Sequence, residues 1–310
     1  LPIGVFAIIA GARIVPSTPK RVGARNDYPG IGMIAVAMFL LIFPLVEGRS
    51  FGWPWWCFAM MVAALPVLYA FVRWEHGQSR RGAPQLLAFH LLRNRNFLQG
   101  GVMALFFFST MPGFFLCLAM FLQVGFGFEP LQSGLTTVPF SLGVFTASLI
   151  SGRLGQVFLK LRVVFGIALL AAGITWLRFY VLSVEDAVSH WALFLPLMIG
   201  GLGLGIAIAS IFQLVLAGVP HEDAGSASGA LQAVQQLGGA FGIAFVSGIF
   251  FARLAALMAS GTGSHAAYVD AFALALVYNL CAYAVVIVLA LLLPAEKKPK
   301  AETQNAPHVA

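Results

Sequence analysis

Charge is the property that this sequence has least of. Only 9% of its 310 residues are charged, 60% are apolar, and the mean hydropathy is +0.91. A water-soluble domain carries about 25% charged residues, so this chain does not have the polar surface that it would need in water. The shortage excludes an ordinary soluble protein and predicts an all-α polytopic membrane protein.

Acidic side chains are absent from the middle of every long apolar segment. A proton relay through a membrane needs a titratable group inside the membrane, and the sequence offers no clear one. The acidic residues around these segments lie at helix ends or in loops: Asp27, Glu47, Glu75, Glu129, Glu185, Asp186, Glu222, Asp223 and Asp270.

The patterns of catalytic and metal sites are also missing. Cys57, Cys117 and Cys281 lie far apart in separate apolar runs, which predicts buried thiols without a metal or an obvious disulfide partner. The run GGLGLG, residues 200–205, does not have the spacing of a nucleotide-binding loop and lies inside an apolar segment. Since there is no nucleophile–base pair and no zinc spacing either, we expect the chain not to be an enzyme and to use no cofactor or metal.

Long charge-free segments dominate what the sequence does contain. A bilayer span needs about 20 mostly apolar residues, or about 17 at the short end, and nearly all of the segments qualify by length. They are Gly30–Val46, Ser50–Val72, Asn96–Phe128, Pro130–Gly152, Val163–Val184 (interrupted by Arg178), Ala187–Pro220 (apart from His190), Ala224–Ala252 and Ala271–Ala295.

The alternation of basic and neutral loops predicts seven spans plus an apolar stub, Leu1–Ala12. The stub has no initiator Met, basic leader or cleavage site. We therefore expect it to be the end of a helix, and the chain to be the C-terminal part of a longer protein.

Basic residues are distributed unequally between the loops. If the spans alternate, fifteen Lys and Arg fall on one side of the membrane and only Arg49, Arg178 and Arg253 on the other. Because basic loops stay on the cytoplasmic side, this predicts a multi-pass protein of the plasma (bacterial inner) membrane with a cytoplasmic C-terminus. The net charge of +7 follows from this topology and from the lipid bilayer as partner, so we expect no nucleic-acid binding.

Polar side chains within the apolar segments are candidate substrate-binding residues. Gln232 and Gln236 are four residues apart and share one helix face, and Gln213 and Asn279 also lie in apolar surroundings. Together they predict an aqueous or substrate-lined cavity. Each of them alone is more typical of a hydrogen bond between helices.

Phenylalanines are concentrated in the run LFFFSTMPGFFLCLAMF, residues 105–121. Phe107 and Phe114 are candidates for contact with an aromatic or lipophilic cationic substrate. Packing of these rings is the commoner alternative.

Glycine and proline suggest a bundle that changes shape. Pairs of glycines four residues apart allow helix backbones to approach closely, and proline removes a backbone hydrogen bond and favours a bend. Static packing is the alternative. The pairs are Gly201 with Gly205, Gly225 with Gly229 and Gly238 with Gly242, and the prolines are Pro44, Pro66, Pro112, Pro139 and Pro196.

One short basic joint, SGRLGQVFLKLRVVFG (151–166), separates two of the segments. Arg153 is expected to complement the dipole at the end of the preceding helix, and Lys160 and Arg162 to reach lipid phosphates. Gly152 and Gly155 predict a tight turn.

Several motifs resemble one family. LPIG (1–4) is similar to the end of the sixth span of fourteen-span major facilitator drug:proton antiporters, DYPGIGMIAV (27–36) to the start of their seventh span, and LLRNRNF (91–97) to the segment before their ninth. VPHEDAGSASGALQAVQQLGGAFG (219–242) resembles the stretch leading into their thirteenth span, although Gln235 stands where arginine is common.

The resemblance implies a division of the chain. Residues 1–12 would end a truncated span, 13–29 would form a cytoplasmic loop, and 30–72 would be two extra spans. Residues 73–96 would form a cytoplasmic loop with an interfacial helix, 97–294 the six-helix C-terminal half-bundle, and 295–310 a basic cytoplasmic tail. The missing N-terminal half would carry the coupling carboxylate.

The resemblance also implies conformational roles. The joint is similar to a loop motif whose glycine, acidic and basic residues latch neighbouring helices, but Gln156 replaces the acid and Leu159 a glycine. The candidate conformational residues are Gly152, Arg153, Gly155, Lys160, Arg162, Gly238 and Gly242.

The function that the resemblance implies is secondary active transport of a small molecule, with efflux of lipophilic or cationic compounds driven by protons and alternating access. Two alternatives stay open. One is a metabolite transporter of the same fold, and the other is a truncated or scaffold membrane protein that transports nothing.

Overall fold

A computed structural model describes residues 2–14, 27–81, 83, 85–87, 90–153, 155 and 158–293. The predictions for most of the first basic loop, for Gln156 and for the tail 295–310 lie outside these residues. The helices are α1 (Pro2–Ile14), α2 (Tyr28–Glu47), α3 (Trp55–Arg81), α4 (Arg95–Phe108), α5 (Met111–Met120), α6 (Pro130–Thr136), α7 (Val138–Arg153), α8 (Leu159–Leu182), α9 (His190–Leu216), α10 (Ala224–Ala259) and α11 (Ser264–Leu292).

Eight stretches of the described chain are long and apolar enough to cross a membrane, so the count of seven spans is wrong. Two of them are built from more than one helix. The stretch Arg95–Gly125 joins α4, α5 and a π-helical turn, and Pro130–Arg153 joins α6 and α7. The predicted charge asymmetry itself requires an even number of spans between the first basic loop and the C-terminal tail, because it places both on the same side of the membrane.

Three helices extend beyond the charge-free segments. Helix α10 continues to Ala259 and α11 begins at Ser264, because Arg253 and Asp270 form an ion pair of 2.7 Å at their joined ends. Helix α3 extends to Arg81 and includes Glu75, which is fully buried. Charged residues at these helix ends are paired or hydrogen-bonded, so they do not end the helix as their charge alone would predict.

The prolines divide into those that interrupt a helix and those that do not. Pro112 and Pro139 follow the breaks between α4 and α5 and between α6 and α7, while Pro44, Pro66 and Pro196 lie inside continuous helices. At the breaks, hydroxyl groups add a second hydrogen bond to carbonyls that also accept a backbone amide. Thr110 Oγ1 donates to Phe107 O and Thr137 Oγ1 to Gly134 O, both at 2.7 Å.

Two of the three predicted glycine pairs form close helix seams. Gly201 and Gly205 lie against the backbone of α7, and Gly238 and Gly242 lie against the end of α4. The prediction is wrong for the third pair, Gly225 and Gly229, since an added Cβ at either position has nothing within 4 Å.

Helices α2 and α3 form a hairpin, which we call the linker hairpin, that packs along α10. Asp27 caps α2 by accepting from the Gly30 amide at 3.1 Å, and it also accepts from Trp74 Nε1 at 3.0 Å, so it ties the start of α2 to α3. Next to Trp74, the buried Glu75 accepts from the Leu86 amide at 3.1 Å. The DYPG motif therefore closes the base of the hairpin.

Replacing Gly242 with alanine is expected to destabilise the protein, because the added Cβ overlaps the carbonyl of Ser109. Overpacking of this kind lowers the free energy of unfolding by about 1–3 kcal/mol. Gly225→Ala on the same helix is the matched control: its Cβ meets nothing, and it removes a glycine that weakens the helix. Thermal unfolding in detergent measures both variants, and equal Tm values would contradict a close seam at Gly242.

Candidate functional site

One face of α10 carries the residues that the sequence singles out for substrate. Gln232 and Gln236 are both exposed, and they continue the row formed by the exposed Gly225 and Gly229 at spacings of four, three and four residues. We call these four residues the open stripe. Helix α10 packs on α2, α4, α5 and α11 through its other sides. Amide side chains facing lipid are costly, so the stripe has the chemistry of a wall of an aqueous cavity or of an interface.

Gln213 and Asn279 lie apart from that stripe. Gln213 is half-buried on α9, and its side-chain oxygen is buried without a hydrogen-bond partner among the described residues. Asn279 on α11 is fully buried, and neither atom of its amide has such a partner. The structure therefore does not gather the four predicted polar residues around one opening, and their shared role in a cavity stays a prediction.

Phe107 and Phe114 are fully buried in the hydrophobic core of the bundle. Phe107 packs against Phe108 with ring centroids 5.0 Å apart, and Phe114 packs against Phe115 at 5.1 Å. Packing accounts for both rings, since neither reaches an open surface of the described chain. Their contact with a substrate stays a prediction.

A polar cluster at the break between α4 and α5 includes residues that the sequence did not single out. Ser109 Oγ lies 2.9 Å from Tyr278 OH, and Tyr283 is fully buried on the same helix α11 as Tyr278. Ser109 and Thr110 are recognisable as polar residues in an apolar run, but their tyrosine neighbour lies 169 positions away in the chain. Only the packing of α11 on α4 brings them together.

Two cations of the basic joint bind backbone carbonyls. Arg162 donates to Ser151 O at 2.9 Å and to Gly155 O at 2.7 Å, and Lys160 Nζ donates to Leu291 O and Leu293 O, both at 2.7 Å. The structure shows these contacts within the protein, and contact of the two cations with lipid phosphates stays a prediction. The two cations neutralise the open carbonyls at the ends of α7 and α11.

Three other residues of the joint, Gly152, Arg153 and Gly155, are exposed. Gly155 has φ +57°, a left-handed conformation that favours glycine, so the predicted tight turn is confirmed at this position. Gly152 and Arg153 are exposed, and nothing lies within 4 Å of a Cβ added at Gly152. Their conformational role stays a prediction.

Side-chain contacts join two pairs of segments at one end of the bundle. His90 Nε2 lies 3.1 Å from Asp223 Oδ2, which joins the segment before α4 to the start of α10. Lys160 joins the start of α8 to the end of α11. The Arg253–Asp270 pair lies at the opposite end, where α10 meets α11.

Metal chemistry has no support in the described part of the chain, where no group of three or more His, Cys, Asp or Glu residues is arranged to hold an ion. The arrangement offers instead an uncovered small and polar helix face, closely packed seams behind it and cation-capped helix ends.

Comparison with known proteins identifies relatives. The sequence profile of the Major Facilitator Superfamily matches residues 1–243. A probable actinorhodin transporter of Streptomyces coelicolor is 37% identical over 255 residues, which cover 82% of this chain and 44% of that protein. A tetracenomycin C resistance and export protein of Streptomyces glaucescens is 28% identical, with 82% and 46% covered.

A puromycin resistance protein of Streptomyces alboniger is also 28% identical, over 87% of this chain and 53% of its own length. The chain thus spans about half the length of the curated relatives that it matches. The family consists of membrane transporters and not of enzymes, in agreement with the predicted fold class and with the prediction that the chain is not an enzyme. On the extent of the profile match and the identity to its relatives, the chain belongs to the Major Facilitator Superfamily.

Proposed function

We propose that the chain is the C-terminal part of a fourteen-span transporter that exports lipophilic or cationic compounds, driven by the proton gradient. The relatives support export, because their names refer to transport of, or resistance to, antibiotics. Their length, about twice that of the matched region, supports a larger whole.

The observation that carries the proposal is the open stripe on α10. A half-bundle that rocks against a second half around a central site needs one face that its own helices leave uncovered. The stripe has exposed amides for hydrogen bonds to a passing substrate and glycines that leave room for it. In this proposal the linker hairpin is the extra pair of spans, residues 97–294 are the half-bundle, and the basic end is cytoplasmic.

Proton coupling is the part of the proposal that we assign to no residue of this chain. The acidic side chains of the described spans lie near helix ends, as with Glu75, Asp223 and Asp270. We assign the coupling carboxylate to the family's other half-bundle.

The proposed latch consists of Lys160 and Arg162, with Gly152 and Arg153 at the end of α7 and Gly155 in the turn that follows. Charged donors on terminal carbonyls hold the ends of α7 and α11 against the start of α8. Release of these bonds would free the cytoplasmic end to move. Gly238 and Gly242 form the seam along which α10 would slide on α4.

Substitution of both open glutamines tests the substrate site. We expect Gln232→Leu with Gln236→Leu to reduce efflux of a lipophilic cationic dye by about tenfold, because each lost hydrogen bond is worth about 0.5–1.5 kcal/mol. Cells that make the complete transporter are loaded with ethidium and the outflow is followed. Gln78→Leu on α3 is the matched control, and an equal loss of efflux in the control would contradict a site on α10.

Collapse of the proton gradient tests the driving force. We expect an uncoupler to stop dye efflux by the unsubstituted transporter within the time of the assay, since no other energy source enters the mechanism. Efflux that continues at the same rate after the uncoupler would overturn proton coupling and leave the transport proposal itself standing.

Loss of the Lys160 contacts tests the latch. Lys160→Gln is expected to increase hydrogen exchange of the last turn of α11 several-fold, because a hydrogen bond from a charged group contributes about 1.5–3 kcal/mol. Exchange measured by mass spectrometry on peptides covering residues 286–293 reports this loss. Arg153→Gln, at an exposed position of the same joint, should leave those peptides unchanged. Identical exchange in both variants would contradict the latch.

A further inference from the structure

A cavity of about 310 Å³ lies between the linker hairpin and the half-bundle. The hairpin contributes Leu45 and Val46 from the end of α2 and Arg49 and Trp53 from the turn before α3. The opposite wall is Leu116 of α5 together with Ile243, Ala244, Ser247 and Gly248 of α10. Its volume is at the lower end of the roughly 300–1,000 Å³ of small-molecule sites, and its walls are mainly apolar, as in such sites.

Arg49 is the charged group of this cavity. Its guanidinium carbon lies 3.1 Å from the ring centroid of Phe251 on α10, so the planar group stacks on the ring. Stacking occupies the face of a guanidinium and leaves its five N–H groups at the edge for other partners. Within the described chain, no carboxylate pairs with Arg49. The nearby Glu47 carboxylate accepts instead from Ser50 Oγ, at 3.0 Å.

The other cations at this end of the bundle have partners. Arg253 pairs with Asp270, and Arg178 Nε donates to Ala273 O at 3.2 Å. Although the Arg49 side chain is exposed overall, partial burial of its guanidinium lowers the pKa of Arg49, because neighbouring protein atoms displace part of its water shell. An anion at the edge of the guanidinium would offset that loss of water through two parallel charge-assisted hydrogen bonds.

The surroundings place this arginine at a membrane–water boundary. Phe51, in the turn between α2 and α3, and Trp55, at the start of α3, are both exposed. Aromatic rings of this kind concentrate at the headgroup level. The turn itself is held in an uncommon conformation, with Gly52 at φ +73° and Trp53 at φ +54°. A tryptophan in the left-handed region persists only where its surroundings hold it, so the positions of Arg49 and Trp53 are preorganised.

We propose that this cavity binds an anionic phospholipid, with an acyl chain between α2 and α10 and the phosphate on the edge of Arg49. The apolar walls suit a chain and would contribute nothing to a free phosphate. The cation on the boundary selects a negative headgroup over a zwitterionic one. Such a lipid would fill the void where the linker hairpin meets the bundle and so would hold the hairpin in place.

Trp53 reports directly on the occupant, because its side chain lines the cavity. The protein is reconstituted in vesicles that contain brominated phosphatidylglycerol or brominated phosphatidylcholine. The difference in tryptophan fluorescence between the unsubstituted protein and the Trp53→Phe variant is the signal of Trp53. We expect phosphatidylglycerol to quench this signal at about fivefold lower mole fraction, as one basic residue at a membrane surface provides. Equal quenching by the two lipids would overturn the proposal.

Two substitutions, each with a matched control, test separately the charge of Arg49 and the space in the cavity. Arg49→Gln should remove the preference, while Arg253→Gln, which changes a paired arginine at the same end, should keep it. Gly248→Leu fills the cavity, since nothing lies within 4 Å of an added Cβ, and should abolish local quenching by both lipids. Gly229→Leu adds the same side chain at another open position of α10 and should not.

The remaining outcomes also test the proposed phospholipid site. A preference that survives Arg49→Gln, or quenching that survives Gly248→Leu in a protein with unchanged circular dichroism, would contradict the site. Displacement of the brominated lipid by millimolar inorganic phosphate would show recognition of the anion alone, and displacement by ethidium would assign the cavity to substrate. None of these measurements depends on transport, so the proposed export function stands or falls separately.

Discussion

Backbone hydrogen bonding in a medium without water is the constraint on which the rest of this structure depends. A carbonyl that loses its helical partner inside a bilayer must find another within the protein. Lys160 and Arg162 meet this demand at the ends of α11 and α7, where they donate to terminal carbonyls. At the two proline breaks, Thr110 and Thr137 add a hydroxyl hydrogen bond to carbonyls that also accept a backbone amide. Hydrogen bonds within the protein therefore hold the chain at these breaks and ends.

Close backbone contact supplies the attraction between helices that lipid cannot. Gly201 and Gly205 bring α9 onto α7, and Gly238 and Gly242 bring α10 onto α4. Since glycine has no side chain, such seams hold helices together through packing while presenting few obstacles to sliding. The same residue type on the outer face of α10, at Gly225 and Gly229, leaves space instead. One helix thus has a packed side that anchors it and an open side suited to a changing partner.

The sequence supported the membrane class and the family, but not every count or contact. Charge-free segments located the spans, but they ended too early in α3 and α10 and began too late in α11. The charged residues there, Glu75, Arg253 and Asp270, have hydrogen-bond or ion-pair partners beyond the segment, and these partners cannot be identified from a local run of residues. Likewise, a glycine pair shows only that close approach is allowed. The pattern at Gly225 and Gly229 is the same as at Gly238 and Gly242, and only the neighbouring helix distinguishes them.

By itself, the sequence determined the solvent in which this protein folds, the helical architecture that this solvent imposes and the segregation of basic loops, because these depend on composition and on local runs of residues. Tertiary structure decided what each polar residue does. It placed Gln232 and Gln236 on an open face but buried Asn279, directed Lys160 to the end of α11, and left Arg49 stacked on Phe251 beside a cavity. The physical reason is that partners are selected by the packing of distant helices, which a linear pattern does not record.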